Sequence, residues 1–527
     1  MKASDLLVAC LEREGVEHVF GLPGEEMEDL LFSLRDSDVT FVPTRHEQGA
    51  AFMADVHGRL TGEAGVCLAT LGPGATNLLT GVADAHLDKS PVVAITAQGG
   101  LERLHKESHQ ALDVVGTFEP VTKWNTQLND PDIVHESVRK AFKLAEYEKP
   151  GATHLELPED VAAAEASVRP LPTRDRVRFA APGDASVDRA TSLLRDAERP
   201  LIVAGNGAVR TRAATPLRDL VAATGLPVVS TYMGKGAVSD ADEHSLMTLD
   251  SGAHGEAANA IAQADLLVTV GYDIAEHDPA DWSHGDVPIV HVDSEPAEVY
   301  EAYNPDVEIV ADIGRTLRAL TDWCEATAPA FDTDWYADLR AHIVDDVDRR
   351  PTAGAPFAVR DVLPLLRAAM APEDVLISDV GSHKMAIAQD FRTYEPNTCI
   401  VSNGLASMGI AVPGGLAADL AVDANVVAAT GDGGFLMNAA EIETATRLGC
   451  GYTIVVFVDD DYGLISEKQA AHTGEVFGTG LTNPDLVTFA ESFGIESHRP
   501  ESPEALRDAF EAGIGGDGMT LIEVPVE

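Results

Sequence analysis

The feature that most constrains the fold is a repeated alternation of short apolar segments with segments of helical periodicity. The apolar segments are rich in β-branched residues and lack polar–apolar alternation, which is typical of parallel strands covered by helices on both faces. This pattern predicts an α/β fold with several doubly wound parallel sheets. Eight strands are predicted, over residues 66–71, 92–96, 201–204, 266–270, 289–292, 375–377, 426–429 and 453–458.

Two segments rich in proline and charge, residues 169–188 and 328–357, are predicted linkers between domains. The chain has 527 residues, and a domain typically has ~150. We therefore expect three α/β domains, over residues 1–168, 188–327 and 357–527, each burying a core of its own.

The chain is strongly acidic, with 37 Lys and Arg residues against 86 Asp and Glu residues and a net charge of −49. Hydrophobic residues make up 45% of the chain, so the acid load does not indicate disorder. Dispersed negative charge of this size disfavours nucleic acid and anionic membranes as partners. Only 10 of the basic residues are lysines. The bias resembles that of halophilic proteins, and an ordinary acidic enzyme is the alternative.

Scattered cysteines and a charged N-terminal segment favour a reducing, intracellular setting. An odd number of cysteines without a C-x-x-C pair argues against a disulfide framework or a zinc site. The first 15 residues carry five charged side chains, unlike a signal peptide. The uncharged stretches 66–83 and 399–418 are interrupted by Gly, Pro and Asn, unlike membrane spans. We expect a soluble cytoplasmic protein with five buried, unpaired cysteines: Cys10, Cys67, Cys324, Cys399 and Cys450.

The most informative segment lies in the last domain, where the predicted strand 426–429 runs into Gly431-Asp432-Gly433-Gly434 and then a helical stretch. Glycines let backbone N–H groups approach a phosphate, and a helix N-terminus favours anions. Asp432 would repel a diphosphate unless a divalent cation lay between them, and Mg²⁺ is held by one or two carboxylates plus phosphate oxygens. Asp459 lies 27 residues further on, at the end of the next predicted strand. The pattern predicts a metal–diphosphate site.

Gly-Asp-Gly followed by an acid or amide 27 residues later resembles the motif of thiamine diphosphate (ThDP) enzymes. The resemblance implies that Asp432 and Asp459 hold Mg²⁺ together with the backbone carbonyl of Asp461. Most of the family has Asn at the second position, whereas catabolic acetolactate synthases resemble this chain in having Asp. The remaining residues that the resemblance assigns to the diphosphate end of the cofactor are Ser382, His383, Gly433, Gly434 and Met408, the last supporting the bent cofactor.

The first domain carries a matching segment, in which Glu47 opens an apolar helix after the extended segment 39–42. Burial there would favour the protonated form of Glu47, but the residues alone favour a helix N-terminal acid that interacts with the dipole. The resemblance implies that Glu47 bonds N1′ of the cofactor's aminopyrimidine and begins the proton relay that activates the thiazolium. Tight turns rich in glycine resemble the pyrimidine-binding segments and add Pro23, Gly24 and Asn77.

A narrower resemblance, to catabolic acetolactate synthases, rests on the loop 105–113 and on segments of all three domains. It implies that Gln110 and His109 lie near the substrate, and it makes Lys123 a candidate cation for a pyruvate carboxylate, although a surface lysine is equally consistent. In the Rossmann-like central domain, Gly205-Asn206-Gly207 resembles half a dinucleotide fingerprint. Such a triplet is a weak signal, and we expect no FAD. Ala406 and the segment 462–469 depart from the family.

The resemblance implies decarboxylation of pyruvate and ligation to a second pyruvate, giving 2-acetolactate and CO₂. Because Glu47 and Asp432 belong to different domains that face each other across a subunit interface in the family, a homodimer or homotetramer is expected; nothing indicates a regulatory small subunit. The alternatives are a biosynthetic acetohydroxyacid synthase that also uses 2-ketobutyrate, another ThDP-dependent 2-keto acid decarboxylase or oxidase, and a non-catalytic nucleotide-binding protein. A non-catalytic protein would not need Glu47, Asp432 and Asp459, so their presence together argues against that alternative.

The predicted ligands conflict with the acidity of the chain, because diphosphate and pyruvate are both anions. The site therefore needs local positive charge, expected from Mg²⁺, helix N-termini, His383 and Lys123. We expect the acid excess on the outer surface and only a few acidic residues in the cofactor cleft.

Overall fold

The computed structural model describes residues 1–250, 255–283 and 287–527. It contains three six-stranded sheets in which every strand pair is parallel, with helices on the faces of the sheets. The predicted α/β class with three doubly wound parallel sheets is confirmed. All eight predicted strands are present, with ends that differ by at most two residues.

The N-terminal sheet spans residues 18–158. Its strands are β1 (His18–Gly21), β2 (Thr40–Pro43), β3 (Gly65–Ala69), β4 (Val92–Gln98), β5 (Trp124–Gln127) and β6 (Ala152–Pro158). Its helices are α1 (Ala3–Glu14), α2 (Glu28–Arg35), α3 (Glu47–Thr61), α4 (Pro73–Leu87), α5 (Val114–Phe118), α6 (Val134–Glu146) and α7 (Glu159–Ala163). The spatial order is β2-β1-β3-β4-β6-β5, so the winding reverses between β1 and β3. Such a switch point is where α/β sheets bind ligands.

The central sheet spans residues 200–310. Its strands are β7 (Pro200–Ala204), β8 (Val228–Ser230), β9 (Ser245–Thr248), β10 (Leu266–Val270), β11 (Ile289–Asp293) and β12 (Val307–Val310). Its helices are α8 (Asp184–Asp196), α9 (Asn206–Arg210), α10 (Ala214–Thr224), α11 (Glu256–Gln263), α12 (Pro279–Trp282) and α13 (Ile313–Thr327). The order β9-β8-β7-β10-β11-β12 is the doubly wound order typical of dinucleotide-binding sheets.

The C-terminal sheet spans residues 375–525. Its strands are β13 (Val375–Ser378), β14 (Cys399–Val401), β15 (Val426–Gly431), β16 (Thr453–Val458), β17 (Glu496–His498) and β18 (Thr520–Pro525). The helices from the second linker onward are α14 (Ala337–Val347), α15 (Val359–Ala369), α16 (Ser382–Asp390), α17 (Ala411–Ala421), α18 (Asp432–Asn438), α19 (Glu441–Leu448), α20 (Gly463–Thr473), α21 (Leu486–Glu491) and α22 (Pro503–Ile514). The order β14-β13-β15-β16-β18-β17 repeats that of the N-terminal sheet, so its switch point lies between β13 and β15.

The first and third domains each bury a hydrophobic core of their own and share a further one. Helix α3 packs against α17, and side chains of both domains form one cluster that includes Ala51, Val56 and Leu416. A side chain at Gly414 would lie 2.9 Å from a methyl group of Val56, so glycine is needed for this close approach. The two outer domains are therefore packed as one body within the chain.

Most of the acidic side chains lie outside the cores. Among the described residues, fourteen Asp and Glu side chains are buried, of 86 in the chain, so the acid excess lies towards solvent as expected. The five cysteines are buried and unpaired, as expected. None of the described helices is both long enough and apolar enough to cross a bilayer.

Candidate active site

A cavity of about 270 Å³ opens at the carboxyl edge of the C-terminal sheet, at the switch point between β13 and β15. The loops that follow β13, β15 and β16 form most of its wall. The structure brings together here all eight residues that the sequence assigned to the diphosphate end: Ser382, His383, Met408, Asp432, Gly433, Gly434, Asp459 and Asp461.

Asp432 and Asp459 are the carboxylates at the tips of β15 and β16. The Oδ1 atom of Asp432 accepts from the Gly433 N–H at 2.8 Å, and Oδ2 accepts from the Asp460 N–H at 2.9 Å. Burial raises the pKa of both carboxyls, and the negative charge of Asp432 further raises the pKa of Asp459. Two facing carboxylates of this kind are stabilised by a cation between them.

The described residues contain no group of three or more His, Cys, Asp or Glu side chains that could hold a metal ion. A cation between Asp432 and Asp459 would therefore take backbone carbonyl, water or phosphate oxygens as its other ligands, which is the way Mg²⁺ is usually bound. That Asp461 contributes its backbone carbonyl stays a prediction. The donor set fits Mg²⁺.

Glycines shape the floor of the cavity. A Cβ atom at Gly433 would lie 2.7 Å from the Tyr462 ring, and one at Gly434 would lie 2.9 Å from the Asp379 carboxylate. The space is therefore available only without side chains, as expected of a turn that a phosphate approaches closely. The Gly433 N–H that the sequence assigned to the diphosphate donates to Asp432 in this structure.

His383 lies in the cavity wall, where burial disfavours the positive charge that the sequence analysis expected it to supply. Its ring is buried and stacks on Phe457 at 5.8 Å between centroids. Burial lowers the pKa of His383 to about 4, because the charged imidazolium is poorly solvated there. Its Nε2 atom is buried and has no hydrogen-bond partner among the described residues. An unsatisfied buried nitrogen in this wall fits a hydrogen bond to a ligand.

Four acidic residues line the cavity among the residues that the structure describes: Asp432, Asp459, Asp461 and the terminal Glu527. Three of them were predicted, so the cleft is not crowded by the acid excess of the chain. Positive potential there comes from the N-terminus of α16, which begins at Ser382.

The residues assigned to the pyrimidine end form a second cluster, at the switch point of the N-terminal sheet. Glu47 is the first residue of α3 and is 5% exposed. The Asn77 side-chain amide, on α4, donates to Glu47 Oε2 at 3.1 Å. A Cβ atom at Gly74 would lie 3.3 Å from Glu47 Oε1, so this carboxylate faces the glycine turn before α4.

Loops around Glu47 contain the remaining predicted residues of the first domain. Gly24 follows β1, and a Cβ atom there would lie 2.3 Å from the Thr70 side chain; the preceding Pro23 is exposed. Gln110 lies against Gly72, with its carbonyl oxygen 2.7 Å from a Cβ atom built on that glycine, and its side chain is exposed. The neighbouring His109 is exposed too.

Lys123 belongs to neither cluster, which corrects its candidate role at a pyruvate carboxylate. It directly precedes β5 and so lies at the amino edge of the sheet, opposite the edge that carries Glu47 and Asn77. Its ammonium donates to the carbonyls of Tyr147 and Lys149, both at 2.7 Å. Burial lowers the pKa of Lys123 to about 8. The lysine ties two segments of backbone together.

The two clusters do not form a single pocket within the chain. No residue of the range 1–168 is among the described residues that line the cavity. The N-terminal end of α3 contacts the third domain elsewhere, where the Glu441 carboxylate accepts from the Arg45 and His46 N–H groups at 3.0 Å. Glu47 is therefore held by its own chain at a place apart from Asp432.

Sequence reasoning missed three polar residues that support the elements around the two clusters. Asp379 accepts from the Gly409 N–H at 2.8 Å; it follows β13 as Asp459 follows β16, so the same strand-tip signal could have found it. Asn483 donates to Asp432 Oδ2 at 2.6 Å, from a loop without a recognisable pattern. Glu441 is 1% exposed, in a helix whose sequence looks amphipathic.

Comparison with protein families gives three matches along the chain. Residues 1–117 match the N-terminal TPP binding domain of thiamine pyrophosphate enzymes, residues 187–320 match the central domain, and residues 379–524 match the C-terminal TPP binding domain. Thiamine pyrophosphate is another name for ThDP. The chain belongs to the thiamine pyrophosphate enzyme family.

Within that family the chain is similar to acetolactate synthases over its whole length. It is 32% identical to the acetolactate synthase of Bacillus subtilis, covering 100% of this chain and 93% of the relative. It is 33% identical to a probable acetolactate synthase large subunit of Methanocaldococcus jannaschii, covering 100% and 92%. It is 34% identical to the catabolic acetolactate synthase of Raoultella terrigena, covering 99% and 95%.

Proposed function

We propose that the chain is an acetolactate synthase, which decarboxylates pyruvate and joins the two-carbon unit to a second pyruvate to give 2-acetolactate and CO₂. The observation that carries this proposal is the paired-carboxylate cavity at one switch point together with the Glu47 cluster at the other. Full-length similarity to acetolactate synthases supports the choice of reaction.

ThDP, when bound, supplies a thiazolium carbon that adds to a keto group and takes up the electrons released with CO₂. Asp432 and Asp459 would hold Mg²⁺ on its diphosphate, with Ser382 and His383 as further contacts. Glu47 would exchange a proton with N1′ of the aminopyrimidine. The hydrogen bond from Asn77 to its Oε2 atom would hold the carboxyl in place for that exchange. Gln110 and His109, exposed beside Gly72, would contact the substrate.

A complete site requires a second copy of the chain. Glu47 and Asp432 lie in separate clusters of one protomer, and the cofactor must contact both. We infer a homodimer, or a tetramer of dimers, in which the first domain of one protomer closes the cavity of its partner.

FAD is not part of the proposal, because a carboxylate of the chain already accepts the backbone N–H that would bind a dinucleotide phosphate after β7. The Asn206 N–H, in the Gly205–Gly207 turn, donates to the Glu276 carboxylate at 3.0 Å. Glu276 is 5% exposed and also accepts from the Thr231 hydroxyl. We expect the purified protein to release no flavin on denaturation, measured by absorbance and fluorescence. Stoichiometric flavin would instead favour the biosynthetic acetohydroxyacid synthases.

The reaction is tested by incubating the protein with ThDP, Mg²⁺ and pyruvate and measuring acetoin after acidification. We infer that the acid excess is an adaptation to salt, so the assay is run in about 0.1 M and 1 M KCl, where the Debye length falls from about 10 Å to 3 Å. Acetoin formation is the expected result, highest in the concentrated salt.

Other products would indicate a different reaction. Acetaldehyde or acetyl phosphate without acetolactate would indicate a decarboxylase or an oxidase of the same family. Competition between pyruvate and 2-ketobutyrate shows whether the acceptor site discriminates between them. No product from pyruvate at either salt concentration would refute the proposed reaction.

A further inference from the structure

The loop of residues 402–409 forms part of the wall of the cofactor cavity. It joins β14 to α17, and its residues Ala406 and Met408 line the cavity. Ala406 has a φ of 54°, a conformation that alanine adopts only when its surroundings hold it there. Something outside the loop therefore fixes its shape.

Two carboxylates of the first domain hold one end of this loop. The Ser402 hydroxyl donates to Asp84 Oδ1 at 2.9 Å, and the Ser407 N–H donates to the same oxygen at 3.2 Å. The Asn403 N–H donates to Asp88 Oδ2 at 3.0 Å. The Gly404 N–H also donates to Asp88. Asp84, in the last turn of α4, and Asp88, the residue after this helix, thus bind four residues of the third domain.

The other end of the loop is held within the third domain. The Asp379 carboxylate accepts from the Gly409 N–H at 2.8 Å and from the Ala411 N–H at 3.2 Å. The Asn438 amide donates to the Gly409 carbonyl at 2.8 Å. With both ends fixed, the two lining residues between them have little freedom.

The buried guanidinium of Arg59 and the buried ammonium of Lys384 supply positive charge beside these carboxylates. Arg59 donates to Asp88 at 2.8 Å and lies 3.6 Å from Asp84, and it pairs with Asp55 at 2.8 Å. These three acidic side chains are at most 1% exposed. Burying a charged group costs free energy unless hydrogen bonds and an opposite charge replace its lost hydration. Here the N–H and O–H donors of the loop supply those bonds.

We propose that Asp84 and Asp88 are positioning residues, which set loop 402–409 and thereby the wall of the cofactor cavity in the third domain of the same chain. The proposal rests on the proposed function only in taking this cavity as the ThDP site. Asn77, seven residues before Asp84, lies on the same face of α4 and contacts Glu47. One helix therefore carries both the pyrimidine-end cluster and the support of the cavity wall, and a rigid element holds such groups more accurately than a loop.

The test is a calorimetric titration of ThDP and Mg²⁺ into the cofactor-free full-length protein, with the unfolding temperature measured in parallel. Asp88→Asn places an amide against three donors, and Ser402→Ala removes one hydrogen bond to Asp84 with little risk to folding. We expect both to weaken ThDP binding, Asp88→Asn by about tenfold and Ser402→Ala by less, as for hydrogen bonds to charged groups.

Asp55→Asn is the matched control, because Asp55 shares Arg59 but its carboxylate contacts no residue of the loop. It is expected to lower the unfolding temperature as much as Asp88→Asn while changing ThDP affinity little. If affinity instead follows the loss of stability in all three variants, or changes in none, the positioning role is wrong. Failure of the unaltered protein to bind ThDP would refute the proposed function, a separate outcome that the same titration reveals.

Discussion

Replacing Glu47 by glutamine is expected to lower kcat for acetolactate formation at least about 100-fold while leaving ThDP affinity nearly unchanged. The amide keeps the size and one oxygen of the carboxyl but cannot accept and return a proton, and such transfers contribute about 10²- to 10⁴-fold in rate. The hydrogen bond from Asn77 at 3.1 Å orients either side chain. The measurement is acetoin production at saturating ThDP and Mg²⁺, with cofactor affinity from calorimetry.

Glu441→Gln is the control for this substitution. Glu441 is also a buried carboxyl and binds the N-terminal end of α3 through the Arg45 and His46 N–H groups, but it stands in no proposed proton path. We expect Glu441→Gln to lower the unfolding temperature and to keep most of the activity. Equal loss of kcat in both variants would show that Glu47 acts only by supporting the helix.

Local patterns predicted eight strands and the pair Asp432 and Asp459, because each of these carboxylates lies at the tip of a strand. Near-continuous apolar runs identified β15 and β16, and parallel strands bring their carboxyl ends to one edge, so Asp432 and Asp459 had to lie close together. Asp379 follows the same rule after β13. The sequence resemblance then supplied the chemistry that strand geometry alone does not determine.

The features that the sequence analysis missed or misassigned depend on contacts between residues that are distant in sequence. Lys123 follows a segment that looks like its family counterpart, yet it lies at the amino edge of the sheet because it precedes β5, a strand that the sequence analysis did not predict. The lowered pKa of His383 results from burial by elements distant in sequence. The shared core of the first and third domains, and the contacts of Asp84 and Asp88 with residues more than 300 positions away, have no local signal.

Replacing Asp432 by asparagine is expected to weaken binding of ThDP in the presence of Mg²⁺ at least about 100-fold. Removal of a residue that merely supports a metal ligand typically costs about 10- to 100-fold in affinity, so loss of a direct carboxylate ligand should cost at least as much. Calorimetry with the full-length protein gives the affinity, and acetoin production at high ThDP shows how much activity excess cofactor restores. The exposed neighbour Asp460, which shares the Asn483 amide with Asp432, supplies the control variant Asp460→Asn, expected to bind ThDP normally.

The stability of the cofactor-free protein distinguishes a ligand-binding role for Asp432 from a structural one. Burial raises the pKa of Asp432 in the folded protein, so at pH 7, above the pKa in the unfolded chain, ionisation of this carboxyl opposes folding. The amide introduced by Asp432→Asn relieves repulsion with Asp459 but turns an NH2 group towards donors that the carboxylate accepted from. These effects oppose each other, so the unfolding temperature of the cofactor-free variant should stay close to that of the unaltered protein. Stabilisation by ThDP and Mg²⁺ should nevertheless be lost, because only binding to the folded state raises that temperature. If Asp432→Asn instead destabilises the cofactor-free protein and still binds ThDP tightly, the carboxylate supports the turn and the metal lies elsewhere.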